Sequence, residues 1–199
     1  MALKLVGLSG SLRRASFNSA LLDSVAERLK DRTFPGAASA AAGGGGDVSV
    51  ELNIVQYRDV PLFDEDLEKP QSVVDLEQAI YAADAVLIAT PEYNYGIPGV
   101  LKNAIDWASR PGYNAAFTAK PVAIMGASTG LIGTARAQGQ LKQVLLGMAS
   151  QVFPHPEFNL GQAPSRFTDG KLTDQATLGV LDRYLAALVS WVQRVAIPR

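Results

Sequence analysis

The chain has 199 residues, 18 Lys and Arg against 19 Asp and Glu, 48% hydrophobic residues, one histidine and no cysteine. That length suits one domain with room for an elaborated loop, and a formal charge of −1 argues against a surface made to coat nucleic acid or an anionic membrane. Without cysteine there is no disulfide frame, thiolate metal site or thiol nucleophile, and His155 alone cannot build a multi-histidine metal centre.

The first element is the apolar run Leu3–Leu8, which Lys4 interrupts and Gly7 to Ser11 ends. It is too short for a signal-peptide core, and no run approaches the ~20 apolar residues of a membrane span. A soluble cytoplasmic protein is expected, without membrane insertion or a nucleic-acid partner. The run reads instead as a buried strand followed by a Gly/Ser turn. From Asn18, Leu21, Leu22, Val25, Ala26 and Leu29 recur at helical spacing. Pro35–Asp47 is a Gly/Ala-rich insertion expected to be a flexible surface loop, placed before the second strand and so away from the strands' C-terminal ends. Val48–Val55 alternates as a second strand, Val73–Ala82 is a helix, and Ala85–Ala89 is a third, fully apolar strand. Gly99–Ser109 reads as a helix, Val122–Gly126 as a fourth strand and Ile132–Ser150 as a long helix. Gln151–Asn159, with prolines that suit an edge, reads as a fifth strand. Thr173 is the expected cap of a last helix striped by Leu178, Leu181, Leu185, Leu188, Val192 and Val195.

Strands that alternate with helices and read as near-continuous apolar runs form parallel sheets covered on both faces. The α/β class expected is a doubly wound five-stranded parallel sheet in the order 2-1-3-4-5, with helices on both faces and a single domain over 1–199. In that order the loops after strands 1, 3 and 4 wall one crevice. The first, Ser9–Asn18, leads into a helix and offers backbone N–H groups, Arg13, Arg14, Ser11, Ser16 and Asn18 to an anion. Each hydrogen bond to a charged group contributes about 1.5–3 kcal/mol, so several would hold a phosphomonoester without a metal. The second, Thr90–Pro98, carries Tyr93 and Tyr95 and suits a flat ring. The third runs from Ala127 to Gly133.

Several motifs nearly fit. Gly7-Leu8-Ser9-Gly10-Ser11 approaches the G-x-S-x-G nucleophile elbow, but Ser11 stands at the last glycine and only His155, between two prolines, could serve as base. The Gly126–Gly133 turn has the wrong spacing for a short-chain dehydrogenase, and Tyr184 has Leu188 in place of the lysine four residues on. There is no Walker lysine motif or G-x-G-x-x-G, and no acidic cluster of a phosphoacceptor domain.

GSLRRASFNSALL (Gly10–Leu22) together with TPEYNYGIPGVLKNAIDWASRP (Thr90–Pro111) resembles the NADPH-dependent FMN reductase family, and within it the branch of chromate, azo and quinone reductases. GASTGLIGTARAQGQLKQVL (Gly126–Leu145) and PHPEF (Pro154–Phe158) continue the likeness in order. The resemblance implies a flavodoxin-like fold and FMN as cofactor, with NADPH or NADH as co-substrate and quinones or similar small molecules as acceptors. Ser11, Arg13, Ser16, Phe17, Asn18 and Ser19 would meet the phosphate and ribityl chain. Pro91, Glu92, Tyr93 and Asn94 would lie against the isoalloxazine, and Ser128, Thr129 and Gly130 would form the third wall. It implies a homodimer or homotetramer with the flavin near the interface, where Arg136 and Glu157 would be interface charges; Gly139 replaces a bulkier residue of some relatives. Hydride would pass through the flavin by a ping-pong scheme, with no catalytic side chain assigned in the protein and no metal. A flavin reductase that releases FMN as a substrate, or a non-catalytic flavodoxin-like electron carrier, are the alternatives.

Overall fold

The apolar run at the N-terminus forms β1 (Ala2–Ser9) in a computed structural model that describes residues 2–36 and 46–196. It lies at the centre of a seven-stranded sheet between β3 (Val48–Val55) and β4 (Ala85–Ala89), parallel to both, with Leu5 beside Leu52 and Ala85. Beyond β4 comes β5 (Pro121–Ala127), again parallel, with Val86 beside Val122. The five parallel positions thus stand in the expected order.

Two details differ. β2 (Thr33–Phe34) adds a short antiparallel edge on β3 that no apolar run announced. The fifth strand is two pieces, β6 (Gln151–Val152) and β7 (Phe158–Leu160), both parallel to β5. β5 advances from Val122 to Met125 while the edge advances from Val152 to Phe158, so the segment between them bulges out. Pro154 and Pro156 have no N–H to give a ladder, which is why pairing lapses there.

The helices are α1 (Phe17–Leu29), α2 (Gln71–Ala82), α3 (Gly99–Ala108), α4 (Ala135–Gly147) and α5 (Gln175–Val195). Alternate strand residues face opposite sides. Leu5, Leu87 and Met125 pack with Leu21, Leu22 and Val25 of α1 and with Leu181, Leu185 and Leu188 of α5. Val6, Leu8, Val86 and Ile88 pack with Ile80 of α2, Ile105 of α3 and Leu141 of α4. Each such buried side chain stabilises the fold by about 1.5–3 kcal/mol. α5 is capped by Asp174, not by Thr173: its carboxylate accepts from the Thr177 N–H at 2.9 Å and is held by Arg166 at 2.9 Å. α4 starts three residues later than the periodicity predicts, because Leu131 and Ile132 belong to the preceding loop. A hairpin of β8 (Phe167–Thr168) and β9 (Lys171–Leu172) turns through Asp169 and Gly170, both at positive φ.

The strands β1, β4 and β5 all end on one rim. The insertion expected at 35–47 joins β2 to β3 at the opposite edge, where β3 begins; its residues 37–45 lie outside the described residues.

Candidate functional site

At the end of β1 the chain must pass β4 closely. A side chain at Gly10 would place its Cβ 2.6 Å from Thr90 Oγ1, and the Gly10 N–H donates to the Ala89 carbonyl at 2.7 Å. The loop then enters α1 at Ser16, whose hydroxyl oxygen accepts from the N–H groups of Asn18 and Ser19 at 3.2 and 3.3 Å. Ser16 is therefore a helix cap. Ser19 turns from the rim to pair with the Ser9 hydroxyl at 2.9 Å. Asn18 is buried and bonds to both backbone groups of Ala127, so it braces two loops. The N–H groups of Arg14, Ala15 and Phe17 have no partner among the described residues. Arg13 has no carboxylate partner there either, and its guanidinium sits 5.8 Å from the Phe17 ring. Phe17 is supported from behind by Phe167 of β8, with ring centroids 5.2 Å apart.

The loop after β4 contains a tight turn. Tyr93 and Gly96 exchange two backbone hydrogen bonds of 3.0 Å, and Asn94 and Tyr95 between them both have positive φ. That is a type I′ turn, usually built on Asn-Gly; holding a tyrosine in the left-handed region costs about 1–3 kcal/mol. The Arg136 guanidinium lies 4.1 Å from the Tyr95 ring and braces it. Tyr93 reaches across the cleft, its hydroxyl 3.3 Å from Ser11 Oγ.

Glu92 serves the fold. Its carboxylate accepts from the N–H groups of Arg136 and Ala137 at 2.9 and 3.1 Å, in the first turn of α4, and from the Arg136 side chain at 2.9 Å. Thr134 makes no side-chain cap there, so Glu92, 44 positions before Arg136, supplies it. Burial alone would raise the Glu92 pKa, but the backbone donors and Arg136 outweigh it and hold the group below its ordinary 4.5. An ionised cap is no proton donor at neutral pH. A depressed carboxyl stabilises the folded state above the unfolded pKa, and that contribution is lost as pH falls through the folded value. Glu92→Gln is expected to cost about 1 kcal/mol at pH 7, with the difference from the parent shrinking below about pH 4. Urea unfolding of both proteins at pH 7 and 3.5 measures it, and a gap independent of pH rules out the ionised cap.

The third wall is cross-braced to the edge strand. Ser128 N–H donates to Leu160 O and Ala163 N–H to Ser128 O, both at 2.9 Å, and Gly130 N–H donates to Ser128 Oγ at 3.1 Å. The three loops enclose a cavity of about 310 Å³. All the sequence-predicted residues except Arg14, Ser19, Asn94, Tyr95 and Gly130 line it, and Ala127 joins them. Ala127 opens the third loop, but its apolar side chain gave no signal of a binding role. Arg136 and Glu157 both have partners inside the chain, Arg136 as above and Glu157 with Lys142.

Chemically, the cleft offers a guanidinium and backbone N–H groups at the start of α1 that are unpaired among the described residues, and a wall of Pro91 and Tyr93 opposite. That donor set fits a phosphate joined to a flat ring system.

Comparisons with known proteins agree. Residues 3–165 match the family described as NADPH-dependent FMN reductase. The chain is 41% identical over 197 residues to an NAD(P)H-dependent FMN reductase of Pseudomonas aeruginosa, covering 97% of each. It is 39% identical over 202 residues to a quinone reductase of Escherichia coli, covering 98% of each. Among solved structures it is similar to FerB, a flavoenzyme NAD(P)H:(acceptor) oxidoreductase of Paracoccus denitrificans. The TM-score is 0.80 at 34% identity, covering 98% of this chain and 100% of that one. With the family match spanning most of the chain and full-length relatives at these identities, the protein belongs to the NADPH-dependent FMN reductase family and is an α/β oxidoreductase.

Proposed function

We propose that the cleft holds FMN without a covalent bond and that the protein passes hydride from NAD(P)H through it to quinones or similar small acceptors. What carries this reading is Arg13 and the N–H groups at the start of α1, without carboxylate or backbone partners among the described residues, facing Pro91 and Tyr93 across one cavity. Ser11, Arg13, Ser16, Phe17, Asn18 and Ser19 serve the phosphate and ribityl end: Arg13 and the backbone amides bind, Ser16 and Asn18 shape the loop, and Ser19 steadies it through Ser9. Pro91 to Asn94 present the face for the ring, with Glu92 positioning that loop against α4. Ser128, Thr129 and Gly130 close the third side. When bound, FMN supplies a ring that takes hydride from a nicotinamide and gives it to an acceptor. The protein then needs to bind, orient and admit one substrate at a time, which suits ping-pong kinetics.

The whole chain is read as one FMN-binding domain working in the cytoplasm. Among the described residues no helix is long and apolar enough to cross a membrane. The exposed Leu131 and Ile132 beside the cleft favour a homodimer or homotetramer with the flavin near the contact.

Purification tests the reading. The expected protein is yellow, carries about one FMN per chain and oxidises NAD(P)H when benzoquinone is present. A protein that neither binds FMN nor oxidises NAD(P)H overturns it. Parallel double-reciprocal plots are expected for the two substrates. Arg13→Ala removes a charge-assisted contact of about 1.5–3 kcal/mol, so FMN affinity should fall roughly 10- to 150-fold, read by flavin fluorescence titration. Unchanged affinity would place the phosphate elsewhere.

A further inference from the structure

On the other side of the anion loop lies a second cavity, of about 700 Å³. Ser11 and Arg13 line the FMN cleft, while Leu12 between them lines this one, so a single turn of chain is the wall between the two. Its floor is apolar, from Val60, Phe63 and Val100. The floor is also held rigid from α3. Asn103 accepts from the Phe63 N–H at 2.8 Å and donates to the Pro61 carbonyl at 2.7 Å, and Trp107 donates to the same carbonyl at 2.9 Å. Of the charged groups lining it, Lys102 and Asp106 neutralise each other at 2.6 Å. Arg58 is left, exposed, donating only to the Leu12 carbonyl and with no carboxylate partner among the described residues. A preformed apolar slot within the usual size range of ligand pockets, with one uncompensated guanidinium at its mouth, suits a purine nucleotide phosphate.

We infer that this cavity receives the adenosine end of the nicotinamide dinucleotide, with Arg58 binding one of its phosphates. This rests on the FMN reading above, which requires a dinucleotide to reach the same rim. The adenine occupies the Val60–Phe63–Val100 slot, and Arg58 holds either the 2′-phosphate or the pyrophosphate; these share the chemistry of an anionic oxygen taken by a guanidinium. Arg58 is then the residue that sets nucleotide affinity, whereas Arg13 serves the flavin.

The test uses the FMN-loaded protein with adenosine 2′,5′-bisphosphate and ADP as probes, titrated calorimetrically. Parent protein and the variants Arg58→Ala and Arg58→Lys are compared. Arg58→Ala should weaken probe binding at least tenfold while keeping one FMN per chain, with Arg58→Lys recovering part of the loss. Loss confined to the 2′,5′-bisphosphate assigns the 2′-phosphate, and equal loss for both probes assigns the phosphate at the 5′ side. In steady state the same variant should raise KM for the nucleotide and leave KM for benzoquinone unchanged. Undiminished probe binding, a fall in kcat at constant nucleotide KM, or a change only in oligomer size by sedimentation would overturn the inference. The last would mark the cavity as a subunit contact. If FMN fails to load at all, the proposed function fails first, and the two failures are told apart before any probe is added.

Discussion

Gly126→Ala is expected to lower Tm by roughly 6–12 °C and to yield protein with little bound FMN. Gly126 sits in β5 just before the strand releases into the third loop. A Cβ there would lie 2.0 Å from Thr134 Oγ1 and 2.4 Å from the Thr90 carbonyl oxygen. The hydroxyl could rotate, but the carbonyl is backbone at the exit of β4, whose Thr90 N–H is itself tied to Met125 O at 2.9 Å. Relief therefore requires β4 and β5 to part at the rim. Overpacking of this kind costs about 3 kcal/mol, and for a chain of this size each kcal/mol moves Tm by about 2–4 °C. The displaced carbonyl leads directly into Pro91 and Glu92, so the ring wall moves with it. Gly139→Ala is the matched control, since a Cβ there meets nothing within 4 Å on an exposed position of α4. It should leave Tm unchanged or raise it by a few degrees, because alanine is the better helix former by about 1 kcal/mol. Thermal melts and flavin absorbance of the two purified variants decide the matter. A Gly126→Ala protein that melts like the parent would mean that the strands do not approach as described.

The sheet order was legible because buried parallel strands advertise themselves. Ala85–Ala89 is apolar throughout and buried throughout, and the stripe Leu181, Leu185, Leu188, Val192 repeats at helical spacing to the end of α5. Once the order is known, the loops that share a rim follow, which is why residues from three distant segments could be assigned to one cleft. What stayed hidden depends on contacts far apart in sequence. Glu92 lies in the ring loop by position, yet its carboxylate is claimed by α4, and nothing near residue 92 says so. Thr173 and Asp174 are both competent caps; Arg166, from across the β8–β9 hairpin, selects the aspartate. β2 is two residues long and carries no period to read. The hairpin did have a local signal, the Asp169-Gly170 pair, which supplies the two positive-φ positions of a tight turn. The flanking strands, two residues each, carry no period that would mark the pair as a hairpin.

Asn18→Ala is the second large effect, and it separates building the site from stabilising the fold. Asn18 is 2% exposed. Its amide nitrogen donates to the Ala127 carbonyl at 2.9 Å, and its oxygen accepts from the Ala127 N–H at 2.8 Å, across 109 residues of sequence. The side chain thereby acts as a further strand rung where β5 has run past the end of β4, with which its last paired residue is Met125, and it pins the anion loop to the third wall. Truncation leaves a buried N–H and a buried carbonyl without partners, at about 1–3 kcal/mol each, so a Tm loss of roughly 4–24 °C is expected. Asn18→Asp should be no milder, because it keeps an acceptor for the N–H but sets a second acceptor against the carbonyl. Stability loss by itself does not locate the damage. Leu188→Ala, in the α5 layer of the core and away from the rim, should cost a similar 2–5 kcal/mol by leaving a cavity. At a temperature where both variants are folded, Leu188→Ala should bind FMN as the parent does, whereas Asn18→Ala should bind it at least tenfold more weakly, its two walls no longer held at the spacing the cofactor needs. Equal FMN affinities in the two variants would reduce Asn18 to a core residue that happens to lie beside the cleft.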